Sequence, residues 1–327
     1  MYVGTQTGCQ NDADIEVLAQ LGVSNVDQTP TVPWSEWTTH TLKSMHDRFA
    51  KYDVNLEMIH IPLGSQSAFK NEAGAIFLGA SDERDRAMDR MCETIKMVGE
   101  AGLRGVNYNI TILGHMRTES RYGRGGAKLS SFEYDKLDQS LGDFEGGVAN
   151  EDEMWERIDH WLKCIMPVAE EYKVQMACHP SDPGIGYGVE YRGVARVLGM
   201  VDGFKKLIDL YDSPYNGLNF CLGCMSESLE DPSADAYDVI RYFGERKKIF
   251  NVHFRNIKGG LNNFVEVFPD EGDVNMLKAL RTFKKVGYEY MIMPDHVPGI
   301  SGPEAGRVGF AFTYGYINAL LQAIDEA

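Results

Sequence analysis

Four side chains that are able to bind divalent metals recur at near-regular spacing in the second half of the sequence. His179, Cys221, His253 and Asp295 each end or follow a short apolar run, and 42, 32 and 42 residues separate them. That spacing is close to one β-strand plus one α-helix, and in a βα barrel the C-terminal ends of consecutive strands meet at one mouth. Imidazole, thiolate and carboxylate together suit Mn²⁺, Fe²⁺, Co²⁺ or Zn²⁺ better than Mg²⁺ or Ca²⁺, which prefer oxygen ligands. The pattern predicts a divalent-metal site built from all four residues.

Other polar residues near predicted strand ends are placed to act on a bound substrate. His296 directly follows the last candidate ligand, and His60 ends the third predicted strand, so either imidazole is a candidate for proton transfer near neutral pH. Arg255 lies two residues beyond the third candidate ligand, where a guanidinium would bind a carboxylate through two hydrogen bonds. Asn109 has a similar place on the fourth strand. We expect the two histidines and the arginine to be catalytic and the asparagine to contact the substrate.

The elements that must position these residues alternate along the chain. Amphipathic helical patterns at 82–101, 152–172, 194–211, 236–247 and 274–286 separate short β-rich segments. Eight such segments are found, at 2–7, 24–29, 54–61, 105–111, 174–179, 217–222, 249–255 and 290–296. An open doubly wound sheet is the competing architecture, but its G-x-G-x-x-G turn after the first strand is absent. The count of eight predicts an α/β protein with a single (β/α)8 TIM barrel over residues 1–327.

The segment 117–150 is the longest irregular connection in this scheme. It is rich in Gly, Ser and charged residues, and it follows the fourth strand at the end of the barrel where active sites lie. Long ordered loops at that end serve as lids or subunit contacts, although a surface excursion with no role fits the composition equally well.

The charge balance and the cysteine content restrict the possible functions and the cellular location of the protein. The chain has 32 Lys and Arg against 48 Asp and Glu, so its formal net charge is −16, which disfavours binding to nucleic acid or to an anionic membrane. We expect a small-molecule carbohydrate substrate and a homo-oligomer. The six cysteines are too few and too scattered for a disulfide scaffold, and the N-terminus lacks the pattern of a secretory signal. These features predict a cytoplasmic protein.

Five motifs together resemble the mannonate dehydratase family, which is similar to the xylose-isomerase-like barrels. They are Ala177–Pro183, Asn216–Gly223, Val252–Asn256, Glu271–Met276 and Pro294–His296. The resemblance implies a dehydratase that converts D-mannonate to 2-keto-3-deoxygluconate, with a metal that is usually manganese. It assigns that metal to His179, Cys221, His253 and Asp295, and it extends to Asn107–Asn109 and Arg117, so we expect Arg117 to bind substrate.

The chain also departs from the family pattern. Met293 stands where an arginine is expected, the segment Gly302–Pro303 replaces a tyrosine, and histidines expected near 264–272 are absent. Arg255 or Arg307 is the candidate to replace the missing arginine. We predict a metal-dependent carbon–oxygen lyase acting on a sugar acid or an oxidised sugar, and slow turnover of D-mannonate itself. A sugar isomerase or epimerase remains the alternative, because it uses the same barrel and metal but loses no water.

Overall fold

The predicted strands form a closed parallel barrel in the computed structural model, which describes residues 1–325. Each strand pairs with the next in sequence, and the eighth closes on the first, so the protein is a single (β/α)8 TIM barrel as predicted. The strands are β1 Tyr2–Thr5, β2 Asn25–Asp27, β3 Asn55–His60, β4 Gly105–Asn109, β5 Gln175–His179, β6 Asn216–Cys221, β7 Ile249–His253 and β8 Met291–Met293. The last strand ends at Met293, not at His296, because Pro294 has no N–H to continue the ladder.

Helices connect the strands on the outside of the barrel. They are α1 Asp12–Gln20, α2 Thr39–Ala50, α3 Asp82–Glu100, α4 Glu151–Tyr172, α5 Val201–Leu210, α6 Leu222–Glu227, α7 Pro232–Glu245, α8 Met276–Lys285 and α9 Ala305–Asp325. The helix predicted from residue 194 was placed too early. Val194–Ala195 instead pairs with Glu190–Tyr191 in a short antiparallel ladder, so α5 begins at Val201.

Buried apolar side chains cover both the outside of the barrel and the lower part of its interior. The helices pack their apolar faces on the outside, as α4 does with Ile158, Trp161 and Ile165, which are fully buried. Inside the barrel, a layer of buried apolar residues formed by Met58, Ala177, Phe250, Met291 and Met293 lies on the inward faces of four strands. Polar residues take over towards the C-terminal ends of the strands. The site therefore rests on a packed apolar floor.

The segment 117–150 is largely ordered against the barrel mouth. Arg121–Tyr122 pairs with Lys128–Leu129 in a two-stranded ladder. Ser131–Glu133 joins a hairpin made of Asn256–Gly260 and Asn263–Val267, and the three strands form a small antiparallel sheet, which we term the mouth sheet. Within residues 1–325, no helix is long and apolar enough to cross a membrane.

Candidate metal centre

The structure brings the four candidate ligands together at the C-terminal ends of β5 to β8. One ligand atom from each of His179, Cys221, His253 and Asp295 lies within 4.8 Å of the other three. All four side chains are buried, with Cys221 fully inaccessible to solvent. We term these four residues the cage. Three of them are the last residue of their strand, and Asp295 follows β8 after Pro294, so the parallel barrel itself makes the cluster.

The two cage histidines are oriented by hydrogen bonds on their outer nitrogens. His179 Nδ1 lies 2.7 Å from the carbonyl oxygen of Pro180, which accepts only, so Nδ1 carries the proton and Nε2 is free. His253 contacts the Asn219 amide through Nε2 at 3.0 Å, and its Nδ1 points towards Asp295. That buried Nδ1 has no hydrogen-bond partner. An unpartnered ring nitrogen beside a thiol and a carboxylate fits a metal ligand, because binding a cation would satisfy it.

Cys221 is set up as a thiolate. Burial acts to raise the pKa of its thiol, but the hydrogen bond with Cys224 and the charge of Arg255 outweigh burial and hold that pKa well below its usual value. The chain turns at Cys221 into α6, whose Cys224 backbone N–H donates to Cys221 Sγ at 3.4 Å. Cys224 itself has a pKa raised well above its usual value by burial and by Cys221. The two cysteines of the C-x-x-C pair therefore differ, and only Cys221 belongs to the cage.

Asp295 is held as a carboxylate by its neighbours. Burial acts to raise its pKa, but the nearby imidazoles of His296 and His253 and the guanidinium of Arg255 lower it well below the usual value. Gln6 Nε2 donates to Oδ1 at 3.0 Å, and Arg255 Nε lies 3.2 Å from Oδ2. The donor set therefore consists of two imidazoles, a thiolate and a carboxylate, which together suit a divalent first-row metal.

The cage opens into a cavity of about 600 Å³ at the barrel mouth. His60, His296, Asn109 and Arg117, four of the six residues predicted to act on or bind a substrate, line it. The remaining polar lining consists of His115, Asp182 and the neutral side chains of Gln6, Thr29, Ser65, Gln66, Asn71 and Ser130. His296 Nδ1 lies 2.9 Å from Glu266 Oε2, and Asn109 Nδ2 lies 3.2 Å from His179 Nδ1. Amides and hydroxyls of this kind are suited to the hydroxyl groups of a carbohydrate.

Arg255 does not lie where a substrate clamp would need it. Its side chain is buried behind the cage rather than in the cavity lining. Its Nη1 lies 2.8 Å from Glu227 and 2.9 Å from Glu266, while Nε faces Asp295. Four protein carboxylates thus surround the guanidinium when Asp182 is included. The chain turns directly after β7, so the strand-phase argument that placed Arg255 on the cavity side does not apply.

Arg307 also does not lie where it could bind a substrate in the cavity, as the sequence had predicted. It lies in the exposed first turn of α9, where Nη1 is 3.3 Å from Glu304, and it does not line the cavity. The first turn of α9 points this side chain to solvent, so Arg307 is a solvated charge at the start of the last helix.

Arg117 lines the cavity but has no free hydrogen-bond donor. Its Nε donates to Ser130 and Glu266, Nη1 to the Met116 carbonyl and Asp182, and Nη2 to Asp182 and Glu266. A guanidinium has five N–H groups, and these contacts use all of its nitrogens. Arg117 therefore organises protein carboxylates, and a substrate would meet only its edge.

Several acidic residues of the site had no catalytic, substrate-binding or metal-binding role in the sequence predictions. Asp182 and Glu266 bridge the two arginines, and Asp27 contacts His60. Asp27 could have been found from the sequence, because it ends a strand just as three of the four cage residues do. Asp182 lies in a loop and Glu266 in the mouth sheet, and no periodic pattern points either of them to the barrel.

Comparisons with known proteins point to one family. The family model described as D-mannonate dehydratase (UxuA) matches residues 126–327, which is more than half of the chain. The mannonate dehydratase of Thermotoga petrophila is 29% identical over 283 residues, covering 74% of this chain and 76% of that protein. The mannonate dehydratase of Enterococcus faecalis is 28% identical over 332 residues, covering 89% of this chain and 88% of that protein.

A solved structure shares the whole fold. The mannonate dehydratase of Streptococcus suis serotype 2 superposes with a TM-score of 0.83 at 23% identity, covering 99% of this chain and 93% of that chain. At that level of identity the superposition supports the barrel and its connections.

Proposed function

The chain belongs to the D-mannonate dehydratase family, and from that premise we propose that it is a divalent-metal-dependent hydro-lyase that removes water from a sugar acid. The observation that carries the proposal is the buried cage of His179, Cys221, His253 and Asp295, which opens into a cavity lined by amides, hydroxyls and three further histidines. The family match favours this reaction over the isomerase or epimerase alternative, because the family is one of dehydratases.

The four cage residues would hold the metal, with Mn²⁺ as the first candidate and Fe²⁺, Co²⁺ or Zn²⁺ as alternatives. The orphaned Nδ1 of His253 and the lowered pKa of the Cys221 thiol support this assignment. A bound divalent ion would supply Lewis acidity, which stabilises the negative charge that develops when a proton leaves the carbon next to a carboxylate.

We propose that the substrate carboxylate binds on the cage side of the cavity and that neutral side chains bind the substrate hydroxyl groups. Met293, where an arginine was expected, is fully buried in the apolar floor, and the nearby guanidiniums of Arg117 and Arg255 are engaged by protein carboxylates. The substrate carboxylate is therefore expected on the cage side, where a bound divalent metal would supply the positive charge that the engaged arginines do not. Asn109, Gln66 and Asn71 line the cavity, and we expect them to bind hydroxyl groups along the rest of the substrate's carbon chain.

His296 is proposed to exchange a proton with the departing hydroxyl group. It lines the cavity next to Asp295, and Glu266 fixes its ring through Nδ1 at 2.9 Å. That contact leaves Nε2 on the cage side, which is the atom expected to exchange the proton.

Three further assignments complete the proposal. The segment 117–150 is proposed to be a fixed cover of the mouth, supported by its pairing with the hairpin 256–267. A cytoplasmic location is supported by the six cysteines, which are all unpaired. A homo-oligomer, as predicted from the sequence, is tested by measuring the molar mass in solution.

The test is a dehydration assay with purified, metal-loaded protein. D-Mannonate and its C2, C3 and C4 epimers are incubated with the enzyme, and the 2-keto-3-deoxy product is measured with thiobarbiturate, with and without prior removal of the metal by a chelator. We expect product from at least one of these acids, and we expect its formation to need the metal. Epimerised acid without any keto-deoxy product would contradict the proposal.

A further inference from the structure

A second imidazole–carboxylate pair lies across the barrel mouth from the cage. Asp27 ends β2, His60 ends β3, and Asp27 Oδ2 is 3.3 Å from His60 Nδ1. The cage occupies the ends of β5 to β8, so this pair belongs to the other half of the ring of strands. The His60 side chain is 25% exposed and lines the same cavity as the cage. A substrate in the cavity would therefore lie between His60 and the cage.

Asp27 is a fixed, charged partner for this histidine. It is 2% exposed, and the Asn107 side-chain amide donates a hydrogen bond to the same Oδ2 that faces His60. Burial acts to raise the pKa of Asp27, but His60 and Asn107 lower it below its usual value. A carboxylate beside Nδ1 holds the ring proton on that nitrogen, which leaves the Nε2 lone pair of this cavity-lining residue free to accept a proton.

We propose that Asp27 orients His60 as the base that removes the proton from the carbon next to the substrate carboxylate. This inference rests on the proposed function and deepens it. Dehydration needs one group to accept that proton and another to protonate the leaving hydroxyl, and the cavity is lined by His60 away from the cage and by His296 beside it. His60 is then a catalytic residue, and Asp27 is a positioning residue.

The proposed dehydration conserves protons and electron pairs. His60 Nε2 accepts the proton, and the C–H electron pair forms a C=C bond while the C–O bond of the neighbouring hydroxyl breaks. The departing oxygen takes a proton from His296 and leaves as water. The resulting enol then becomes a ketone, since its hydroxyl returns a proton to His296 and His60 gives its own proton to the carbon that lost the hydroxyl. Both histidines end in their starting states.

The kinetic experiment compares two histidine variants of the metal-loaded protein. His60→Gln keeps a hydrogen-bonding side chain but cannot accept the proton. His46→Gln is the matched control, because His46 Nδ1 also faces an aspartate, Asp47 at 3.5 Å, but on α2 outside the cavity. We expect His60→Gln to keep one metal per chain and to lower kcat for the fastest sugar acid by about 10²- to 10⁴-fold with little change in KM. His46→Gln should match wild type in all three measurements.

A second measurement needs no substrate. Nitrogen-15 NMR of the histidine rings in the metal-loaded protein reports which nitrogen of His60 carries the proton, and Asp27→Asn removes the charge that holds it. We expect a proton on Nδ1 in wild type and loss of that preference in Asp27→Asn. A kcat of His60→Gln within threefold of wild type would overturn the inference and leave the proposed function intact. If wild type dehydrates none of the acids, the proposed function fails. The NMR measurement of the His60 ring alone then tests whether Asp27 orients His60. A proton on Nδ1 then supports the oriented His60, and a free Nδ1 overturns it.

Discussion

His296 and His60 face the same cavity and each contacts a buried carboxylate, but their surroundings differ. Glu266, the partner of His296, also contacts Arg117 and Arg255, which in turn bind Asp182 and Glu227. Asp27, the partner of His60, has an amide and an imidazole as its polar neighbours. On the cage side, several charges of both signs are buried together, whereas the opposite side carries one isolated pair.

The contrast shows what the two buried arginines do. Removing one member of a buried charge network leaves the other members unpaired in a poorly solvated place, so each group on the cage side is tied to the stability of the whole barrel mouth. The pair at His60 is free of that constraint. Substitutions on the cage side should therefore affect metal binding, folding and activity together, and substitutions at the isolated pair should affect activity alone.

The largest effect is expected from the cage cysteine. Cys221→Ser removes a thiolate ligand, so bound metal should fall well below one per chain and dehydration should fall by about three decades or more. Cys224→Ser is the matched control three residues away, and it should keep its metal because Cys224 lies outside the cage. Metal analysis and kcat/KM measure both variants. Equal losses in the two would show that the C-x-x-C pair acts as one unit.

Arg255→Met should give the next largest effect, on folding. It leaves the carboxylates of Glu227 and Glu266 without their shared guanidinium, so the free energy of unfolding should fall by about 3–5 kcal/mol. Urea unfolding of the metal-free proteins isolates this effect from metal binding. Arg307→Met, at an exposed ion pair on α9, should change stability by less than about 0.5 kcal/mol. A loss below about 1 kcal/mol in Arg255→Met would mean that the network contributes little.

Asp27→Asn tests the isolated pair directly. The substitution keeps the shape of the side chain but removes the charge, so we expect kcat to fall by about 10- to 100-fold with metal content unchanged. Glu266→Gln makes the same chemical change on the cage side and should also lower the urea midpoint, because two arginines lose a partner. If both variants destabilise the protein equally, the two sides do not differ in the way described.

The smallest effect is expected from the neutral lining of the cavity. Asn109→Ala removes one amide beside His179, and a single neutral hydrogen bond contributes about 0.5–1.5 kcal/mol. KM should therefore rise by less than about tenfold, with kcat and metal content close to wild type. Loss of metal in this variant would show that Asn109 instead supports the ring of His179.

The barrel and the cage were predictable because both follow from strand periodicity. His179, Cys221 and His253 each end a strand, and parallel strands of a barrel end at one mouth, so matching positions in sequence become neighbours in space. Arg255 was misplaced because the same rule stops at the strand end, after which the chain direction depends on loop geometry. Glu266 was missed for a related reason, since it reaches the site from the mouth sheet, whose pairing with residues 131–133 is a long-range contact.

The mouth sheet also restricts how a substrate reaches the cavity. Glu266 lies on this sheet and contacts both Arg255 and His296, so lifting the sheet would separate buried opposite charges. Such separation is costly enough that the sheet is unsuited to open and close once per catalytic cycle. The rim of the mouth that lies opposite this sheet is held by a different kind of contact. There Ser65, Gln66 and His115 are exposed, and a backbone hydrogen bond of 3.0 Å joins His115 N–H to the Ser65 carbonyl. Sugar acids should therefore enter and leave the cavity over this rim. Substitutions in the rim should change the rate of product release more than substitutions in the mouth sheet.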